Sequence, residues 1–204
     1  MKGAEEAVET SSYVIVNPKD YCGHFHEVFA HNYPIHVEIG MGKGQFIIDM
    51  ARKYPKINFV GIEKFDSVLI RAIQKLGEEQ LPNLKFIRMD AMMIDEVFLK
   101  EVEQVYLNFS DPWPKNRHSS RRLSSSIFLK KYDAIFCDRP CIIMKTDNRH
   151  LFEYSIISFT DYGYHIEELS LDLYDDDITN NVATEYEMKF VEKGNQIYRM
   201  KVRK

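Results

Sequence analysis

The sequence predicts an α/β fold in which a doubly wound, mostly parallel sheet is covered by helices on both faces and ends in an antiparallel C-terminal edge. Three observations support this prediction. Short apolar segments rich in β-branched residues alternate with stretches of helical length and pattern. Those segments are nearly continuous apolar runs, as expected for parallel strands buried on both faces. Beyond residue 164 the segments become longer and more alternating, which is typical of antiparallel edge strands.

The elements follow in order along the chain. Ile35–Ile39 reads as the first strand, and Lys43 to Tyr54 as a helix that ends at Pro55, because proline cannot continue a helix. The later elements are predicted as strands at 57–62, 84–89, 102–109 and 141–145, helices near 65–76, 123–136 and 148–160, and two final strands at 166–173 and 196–202. Residues 1–33 have a mixed composition and are predicted to form an arm or cap on a domain of residues 34–204.

Composition indicates one globular domain. The chain has 204 residues, of which 45% are apolar and 28% charged. No apolar run approaches the roughly 18 residues of a membrane span, and the N-terminus does not resemble a signal peptide, so we expect a cytoplasmic protein. The net charge of −4 does not exclude a nucleic-acid ligand, because phosphate binding needs only a local cationic patch. Cys22, Cys137 and Cys141 lack metal-site spacing, which predicts reduced thiols and no metal.

A glycine-rich turn follows the first strand, in the sequence Glu38-Ile-Gly-Met-Gly-Lys-Gly44. Its three glycines allow positive φ angles and the close approach of a ligand. The spacing departs from the Gly-x-Gly-x-x-Gly pattern of dinucleotide-binding proteins. The turn alone is therefore compatible with either a ligand site or a simple tight connection.

Acidic residues stand where the first three strands end. In an open α/β sheet these ends face one crevice, so we expect Glu38, Glu63 and Asp90 to converge there. The carboxylate of Glu63 suits a ribose diol, Asp90 could accept from an exocyclic amine, and Glu38 could accept from an ammonium group or shape the turn. So many acids would repel a pyrophosphate, which argues against NAD and favours a positively charged nucleoside. The alternative is that these acids only cap helices and solvate strand ends.

The segment from Asn108 to Arg122 is the most distinctive in the chain. Asp111 is followed by two prolines that flank the only tryptophan, Trp113, so this segment cannot continue a strand or a helix and is predicted to be a stiff loop. Trp113 could stack on a base or brace the loop. A cationic arm follows, formed by Lys115, Arg117, His118, Arg121 and Arg122. An acid beside such an arm indicates a site for an anionic substrate.

The glycine turn and its acids resemble the class I S-adenosylmethionine-dependent methyltransferases. Asp-Pro-Trp-Pro-Lys115, followed by Arg-His and Arg-Arg-Leu, Lys145-Thr-Asp-Asn148 and Thr184-Glu-Tyr-Glu187, closely resembles the bacterial tRNA (guanine-N7)-methyltransferase (TrmB) family from about Asn17 to Val202. The resemblance implies a Rossmann-like class I methyltransferase fold with a seven-stranded sheet, in which residues 34–204 form the methyltransferase domain. It implies methylation of N7 of a guanine in the tRNA variable loop, at position 46 in tRNA numbering, and leaves open whether the protein is a monomer or a homodimer.

The resemblance also implies roles for individual residues. Asp111 would be catalytic and would contact the methyl donor S-adenosyl-L-methionine together with Glu38, Gly40, Gly42, Gly44, Glu63, Asp90 and Ala91. The substrate nucleotide would be contacted by Lys115, Asp147, Thr184, Glu185, Tyr186 and Glu187. The cationic arm, including Lys115, would bind tRNA phosphates.

The chemistry agrees with these roles, because guanine N7 carries a free lone pair and needs no general base. Catalysis can then rest on placement and on managing charge. Asp111 could accept from guanine N1 or the exocyclic amine, or could support the developing cation.

Three other functions explain less of the sequence. A methyltransferase acting on a protein or a small-molecule amine does not explain the cationic arm. A non-catalytic RNA-binding protein would bind tRNA without consuming the donor. A nicotinamide-dependent oxidoreductase is disfavoured by the glycine spacing.

Overall fold

The protein forms one seven-stranded sheet in the order β3-β2-β1-β4-β5-β7-β6. The computed structural model describes residues 8–176, 178 and 180–204. The strands are β1 Ile35–Ile39, β2 Asn58–Glu63, β3 Leu84–Arg88, β4 Val102–Asn108, β5 Phe136–Thr146, β6 His165–Ser170 and β7 Tyr198–Arg203. The first five pair in parallel, and β7 lies antiparallel between β5 and β6. This arrangement confirms the predicted doubly wound sheet with an antiparallel C-terminal edge.

Helices cover both faces of the sheet. The α-helices are α1 Gln45–Lys53, α2 Asp66–Leu76, α3 Ser126–Ile135, α4 Arg149–Asp161 and α5 Glu185–Val191. Short 3₁₀ helices lie at Pro18–Tyr21, Phe25–Val28, Ala91–Glu96 and Asn116–Arg121. The last of these falls within the segment predicted as a stiff loop, so the basic part of that segment is one tight helical piece.

Two apolar clusters hold the layers together, one on each face. All five residues of β1 are buried, as a strand covered on both faces requires. On one face Ile35, Val37 and Ile39 pack with α3 and α4 through side chains such as Phe128, Leu129, Tyr132, Phe152 and Phe159. On the other face Phe59 and Phe86 pack with α1 and α2 through Phe46, Ile47, Ile48, Leu69 and Ala72.

β5 is longer than the sequence predicts, because it begins at Phe136 rather than at Cys141. Val102 of β4 pairs with Phe136, and Gln104 pairs with Cys141, so residues 137–140 form an irregularity within the strand. The proline and charges of this stretch suggest a turn from sequence, but such residues are also tolerated in a bulge. The bulge lies at the opposite end of β5 from the carboxyl ends of the strands.

The N-terminal arm packs on the sheet where it is described. Val8, Tyr13 and Val14 join one apolar cluster and Phe25 the other, and Val14 forms an isolated parallel bridge with Phe86 of β3. Residues 1–7 of the predicted arm lie outside the described residues. Within the described part of the chain, none of the helices combines the length and apolar character needed to cross a membrane.

Candidate active site

The site lies at the carboxyl ends of the parallel strands, where the strand order reverses between β1 and β4. The glycine turn after β1 is tied to the neighbouring strand, since the N–H groups of Gly40 and Met41 both donate to the carbonyl of Ile62, at 2.9 and 3.0 Å. Gly40 and Gly42 have φ angles of +75° and +56°, and a Cβ at either position would meet no atom within 4 Å. Their glycine character therefore serves the backbone conformation and leaves open space for a ligand.

Gly44 has a different function. A Cβ on Gly44 would lie 2.6 Å from the Cβ of Ala72, so this glycine allows α1 and α2 to pack closely. It lines neither of the cavities described below. The sequence grouped Gly44 with the donor-binding residues, and the structure instead places it between helices.

A cavity of about 780 Å³ opens beside the ends of β2, β3 and β4. Three of the predicted acids line it, and so do the backbone turn at Gly40 and the side chain of Trp113. These acids are Glu63, Asp90 and Asp111, with Ala91 beside them. Apolar side chains complete the wall, among them Phe65, Val68, Met89, Met92, Leu123, Ile127 and Phe128. The cavity therefore combines an apolar interior with carboxylates at its edge.

A second cavity of about 270 Å³ adjoins the first. Gly40 and Phe109 line both cavities and form the boundary between them. The smaller cavity is lined by Glu38, Asn108 and the start of α5. The sequence predicts that the three strand-end acids meet in one cleft. In the structure they line two adjoining cavities, Glu38 the smaller one and Glu63 and Asp90 the larger one.

Glu38 is a buried carboxyl group with an unused oxygen. Its Oε1 accepts from the Asn108 amide at 2.8 Å, whereas Glu38 Oε2 and Asn108 Oδ1 have no partner within the described structure. Burial raises the pKa of Glu38 to about 7, and the hydrogen bond from Asn108 and the positive charge of Lys145 offset part of that effect. Buried polar atoms are rarely left unpaired, so these two indicate a place for a polar ligand.

Glu63 fixes the turn as well as facing the larger cavity. Its Oε1 accepts from the N–H groups of Lys64 and Phe65 at 2.9 and 3.1 Å, and its Oε2 accepts from Gly42 N at 3.1 Å. A carboxylate offers about four lone-pair positions, so about one remains for a ligand. Glu63 can therefore accept from one ribose hydroxyl, rather than from both as its position in the sequence suggests.

Asp90 caps the 3₁₀ helix that follows β3. It accepts from Met92 N at 3.0 Å and pairs with Lys64 at 2.8 Å. The hydrogen bond from Lys64 is the largest of the effects that hold the pKa of Asp90 below its ordinary value. Lys64 was not expected from sequence, and this pair keeps Asp90 ionised at the edge of the larger cavity.

Asp111 lies in a strained loop between two residues with positive φ, Phe109 at +51° and Trp113 at +43°. Such angles are unfavourable for residues with side chains and are concentrated at functional sites. The loop begins where Phe109 N donates to the carbonyl of Lys145 at 2.8 Å. Asp111 itself is exposed and forms no hydrogen bond or ion pair with any other described residue. The loop therefore fixes where Asp111 stands, and its exposed carboxylate is free to meet a ligand.

The cationic arm divides into outward and inward residues. Lys115, Arg117 and Arg121 are exposed, His118 is half-buried with its ring 5.9 Å from that of Trp113, and Arg121 lies over the Trp113 ring at 4.8 Å. Arg122 differs, because its side chain is buried and donates to backbone carbonyls. The structure therefore corrects the sequence-based grouping: four members of the arm face outward or line its surface, and Arg122 does not.

The segment at α5 closes the smaller cavity. Thr184 caps the helix by accepting from Glu187 N at 2.9 Å, and Glu187 accepts from Thr184 N in return. Glu185 forms an ion pair with Lys75 of α2, which holds its pKa below the ordinary value. The exposed ring of Tyr186 stacks on Phe190 with centroids 4.2 Å apart. It also lies 5.0 Å from Phe109, at the boundary of the two cavities.

Glu187 lies in the interior instead of at the surface of the site. It is fully buried and pairs with buried Lys145 at 2.6 Å. Its other oxygen accepts from the Tyr174 hydroxyl at 2.9 Å and the Asn181 amide at 2.6 Å. Because both oxygens are occupied, Glu187 cannot meet a base in this conformation, which corrects the sequence-based expectation.

Two residues at and just after the end of β5, Lys145 and Asp147, interact with the segment at α5. Lys145 also donates to the carbonyl of Val182 at 2.8 Å, and burial lowers its pKa although Glu187 opposes that effect. Asp147 is half-buried and close enough to Tyr186 to help raise the pKa of that phenol, after the larger effect of burial. Lys145 was missed from sequence, although a lysine at the end of the buried run Cys141-Ile-Ile-Met-Lys was a signal that it needed a partner.

Comparison with known proteins identifies the family of the chain. Residues 32–200 match a family described as "Putative methyltransferase". A tRNA (guanine-N(7)-)-methyltransferase of Bacillus licheniformis is 50% identical over 193 residues, which are 94% of this chain and 91% of the relative. One of the same name from a Geobacillus species is 48% identical over 200 residues, which are 98% of this chain and 91% of the relative.

A solved structure described as an antibiotic-related methyltransferase shares the fold. It matches with a TM-score of 0.67 at 15% identity and covers 91% of this chain and 93% of its own. The relatives share half of this sequence over nearly its whole length, and its strand-end acids line adjoining cavities. The chain therefore belongs to the tRNA (guanine-N7)-methyltransferase family.

Proposed function

We propose that this protein transfers a methyl group from S-adenosyl-L-methionine to N7 of a guanine in tRNA, at position 46 of the variable loop. One observation carries the proposal: Asp111, an exposed acid without a partner among the described residues, stands on a strained loop at the larger cavity, next to the boundary with the smaller one and to an exposed cationic surface. The relatives named for this activity provide independent support.

The residues present fit the methyl donor. The larger cavity has apolar walls and an acid, Glu63, with lone-pair capacity for a ribose hydroxyl. In the smaller cavity, Glu38 Oε2 is a buried acceptor without a partner in the described chain, which suits an ammonium group. When bound, the donor supplies an electrophilic methyl group on a sulfonium sulfur. We assign the adenine base to the part of the larger cavity that Asp90 and Ala91 line.

The chain's own residues then orient the base. We assign guanine to the boundary of the two cavities, where Phe109 and Tyr186 offer ring surfaces and Asp111 lines the adjoining larger cavity. Thr184 and Glu185 line the smaller cavity beside it. Stacking on such rings contributes about 1–3 kcal/mol per base. Asp111 accepts from the guanine edge or stabilises the positive charge that develops on the purine, and no proton has to be removed from N7 before attack.

The exposed cations of the arm bind the tRNA backbone. Lys115, Arg117 and Arg121 project from the loop and the 3₁₀ helix beside Asp111. Their contribution to affinity is expected to fall steeply as the salt concentration rises. We also assign Asp147 to contact with the substrate nucleotide, because it lies close to Tyr186.

The proposed function is tested by methyl transfer to unmodified tRNA transcripts. We expect label from the methyl donor to enter the tRNA, and cleavage chemistry selective for N7-methylguanine to break the chain at position 46. A transcript carrying adenine at that position should accept no label. Label at another base or atom would contradict the proposal, and tRNA binding without donor consumption would favour the non-catalytic RNA-binding alternative.

Donor binding should depend on pH through Glu38. Its pKa is raised to about 7 by burial, so below that pH the group is protonated and its proton must leave before a cationic ammonium can bind. We therefore expect affinity to rise up to about tenfold per pH unit from about pH 5.5 and to level off above about pH 7.

Calorimetry in two buffers of different ionisation enthalpy would measure both the affinity and the release of the proton. Glu38→Gln should bind the donor weakly and with little pH dependence over this range. An affinity of the wild-type protein that stays constant between about pH 5.5 and about pH 7 would contradict the assignment.

A further inference from the structure

The side chain of Arg122 packs against the loop that carries Asp111 and donates hydrogen bonds to its backbone. Its side chain is buried, with only 8% of the residue exposed. Nε donates to the carbonyl of Pro112 and Nη2 to the carbonyl of Trp113, both at 3.0 Å. The guanidinium carbon lies over the Tyr154 ring on α4, 4.2 Å from its centre, so the group also makes a cation–π contact.

The two carbonyls that Arg122 binds belong to the residues directly after Asp111. Proline contributes no N–H group, so a segment with Pro112 and Pro114 has few backbone hydrogen bonds of its own. Trp113 also holds an unfavourable φ of +43°, a conformation that persists only when its surroundings enforce it. Within the described residues these carbonyls accept no other hydrogen bond. Arg122 is therefore placed to maintain the conformation of this loop.

The neighbouring arginine provides a contrast. Arg121 is exposed and covers the Trp113 ring from the side of the larger cavity at 4.8 Å. The two consecutive arginines therefore contact different parts of Trp113. Arg121 covers its indole ring, and Arg122 donates to its backbone carbonyl. Only Arg121 has a guanidinium group that a tRNA phosphate could reach.

We propose that Arg122 is a positioning residue for methyl transfer, whose guanidinium fixes the backbone of Asp111–Trp113, and that it is not a phosphate contact. The expected effect on kcat rests on the proposed function. The claim that Arg122 fixes the loop backbone does not depend on it. A guanidinium is suited to this position because its planar fork can donate to two carbonyls at once, which a lysine ammonium cannot do in the same geometry.

Arg122→Lys is the informative variant, because it keeps the charge and removes the fork. We expect kcat to fall by about 10- to 100-fold, since a small displacement of a catalytic group has effects of this size, while KM for tRNA changes little. The slope of log affinity for tRNA against log salt concentration should match that of the wild type. Arg121→Gln, in contrast, should weaken tRNA binding and reduce that slope by about 1.

The single tryptophan provides a second measurement that needs no activity. Because Trp113 is the only tryptophan of the chain, fluorescence excited at a wavelength that the 12 tyrosines do not absorb reports on this loop alone. Arg122→Lys should shift its emission to the red and make it more accessible to acrylamide, and Arg122→Gln should do the same. If the protein proved inactive on tRNA, this result would still support the structural part of the inference.

Two results would overturn the inference. One is an Arg122→Lys protein with wild-type kcat and unchanged tryptophan fluorescence. The other is an Arg122→Gln protein whose salt slope falls by about 1, as expected for Arg121→Gln, because that would make Arg122 a phosphate contact. Thermal unfolding of each variant shows whether it folds. If Arg122→Gln fails to fold, Arg122→Lys, which keeps the positive charge, is compared with the wild type instead.

Discussion

Replacing Asp111 with alanine is expected to lower kcat for methyl transfer by about 10²- to 10³-fold, the usual effect of removing one preorganised electrostatic group. The physical reason is the position of Asp111 on a strained loop beside the boundary of the two cavities, where its carboxylate has no partner among the described residues and is free to interact with the base. The substitution should hardly affect stability, since exposed residues without contacts usually change it by less than about 0.5 kcal/mol. Single-turnover transfer to a tRNA transcript would measure the chemical step directly.

Asp111→Asn separates the two roles open to this residue. Asparagine keeps a hydrogen-bond acceptor of nearly the same shape and loses the charge. If Asp111 acts mainly by accepting from guanine, the asparagine variant should retain more activity than the alanine variant, and if charge is decisive both should fail alike. An alanine variant that transfers methyl groups at the wild-type rate would exclude both roles.

Replacing Glu187 with glutamine is expected to lower the free energy of unfolding by about 3–5 kcal/mol, because it leaves a buried lysine without its counter-charge. Lys145 and Glu187 are 2% and 0% exposed and are joined at 2.6 Å. The destabilisation should decrease at alkaline pH. Burial already lowers the pKa of Lys145, and without Glu187 that pKa falls further, so the variant gains relative stability as pH rises and the lysine loses its proton.

Glu185→Gln is the matched control, since it lies on the same helix and pairs with Lys75 at the surface. A partly exposed ion pair of this kind contributes about 0–1 kcal/mol, so this variant should unfold nearly as the wild type does. Urea denaturation at two pH values would measure all three proteins. A Glu187→Gln protein with wild-type stability and a raised KM for tRNA would contradict the buried role and restore the base contact expected from sequence.

The sheet and the location of the site could be predicted because local patterns determine them. Buried strands read as apolar runs, and an acid or a proline-flanked loop stands where each run ends. The sheet order then brings these ends together at the reversal between β1 and β4. Glu63, Asp90 and Asp111 reached one cavity for this reason.

Side-chain direction could not be predicted in the same way, because it depends on partners far apart in the chain. Glu187 is turned inward by Lys145, which is 42 residues away, and Arg122 by the carbonyls of a loop that folds back over it. Gly44 acts through Ala72 on another helix. A charged residue in a recognised motif can therefore stabilise the site from within rather than contact the ligand.

The central claim is that the methyl donor spans the two adjoining cavities and that guanine meets its methyl group at their boundary, which Gly40 and Phe109 form. The most direct test is a crystal structure of the protein with S-adenosylhomocysteine, followed by soaking with guanosine monophosphate. We expect the adenosine in the larger cavity with its ribose at Glu63, the amino group beside Glu38 in the smaller one, and the sulfur at their boundary, facing the guanine. Adenosine outside the larger cavity, or a sulfur that faces away from Phe109, would contradict this account.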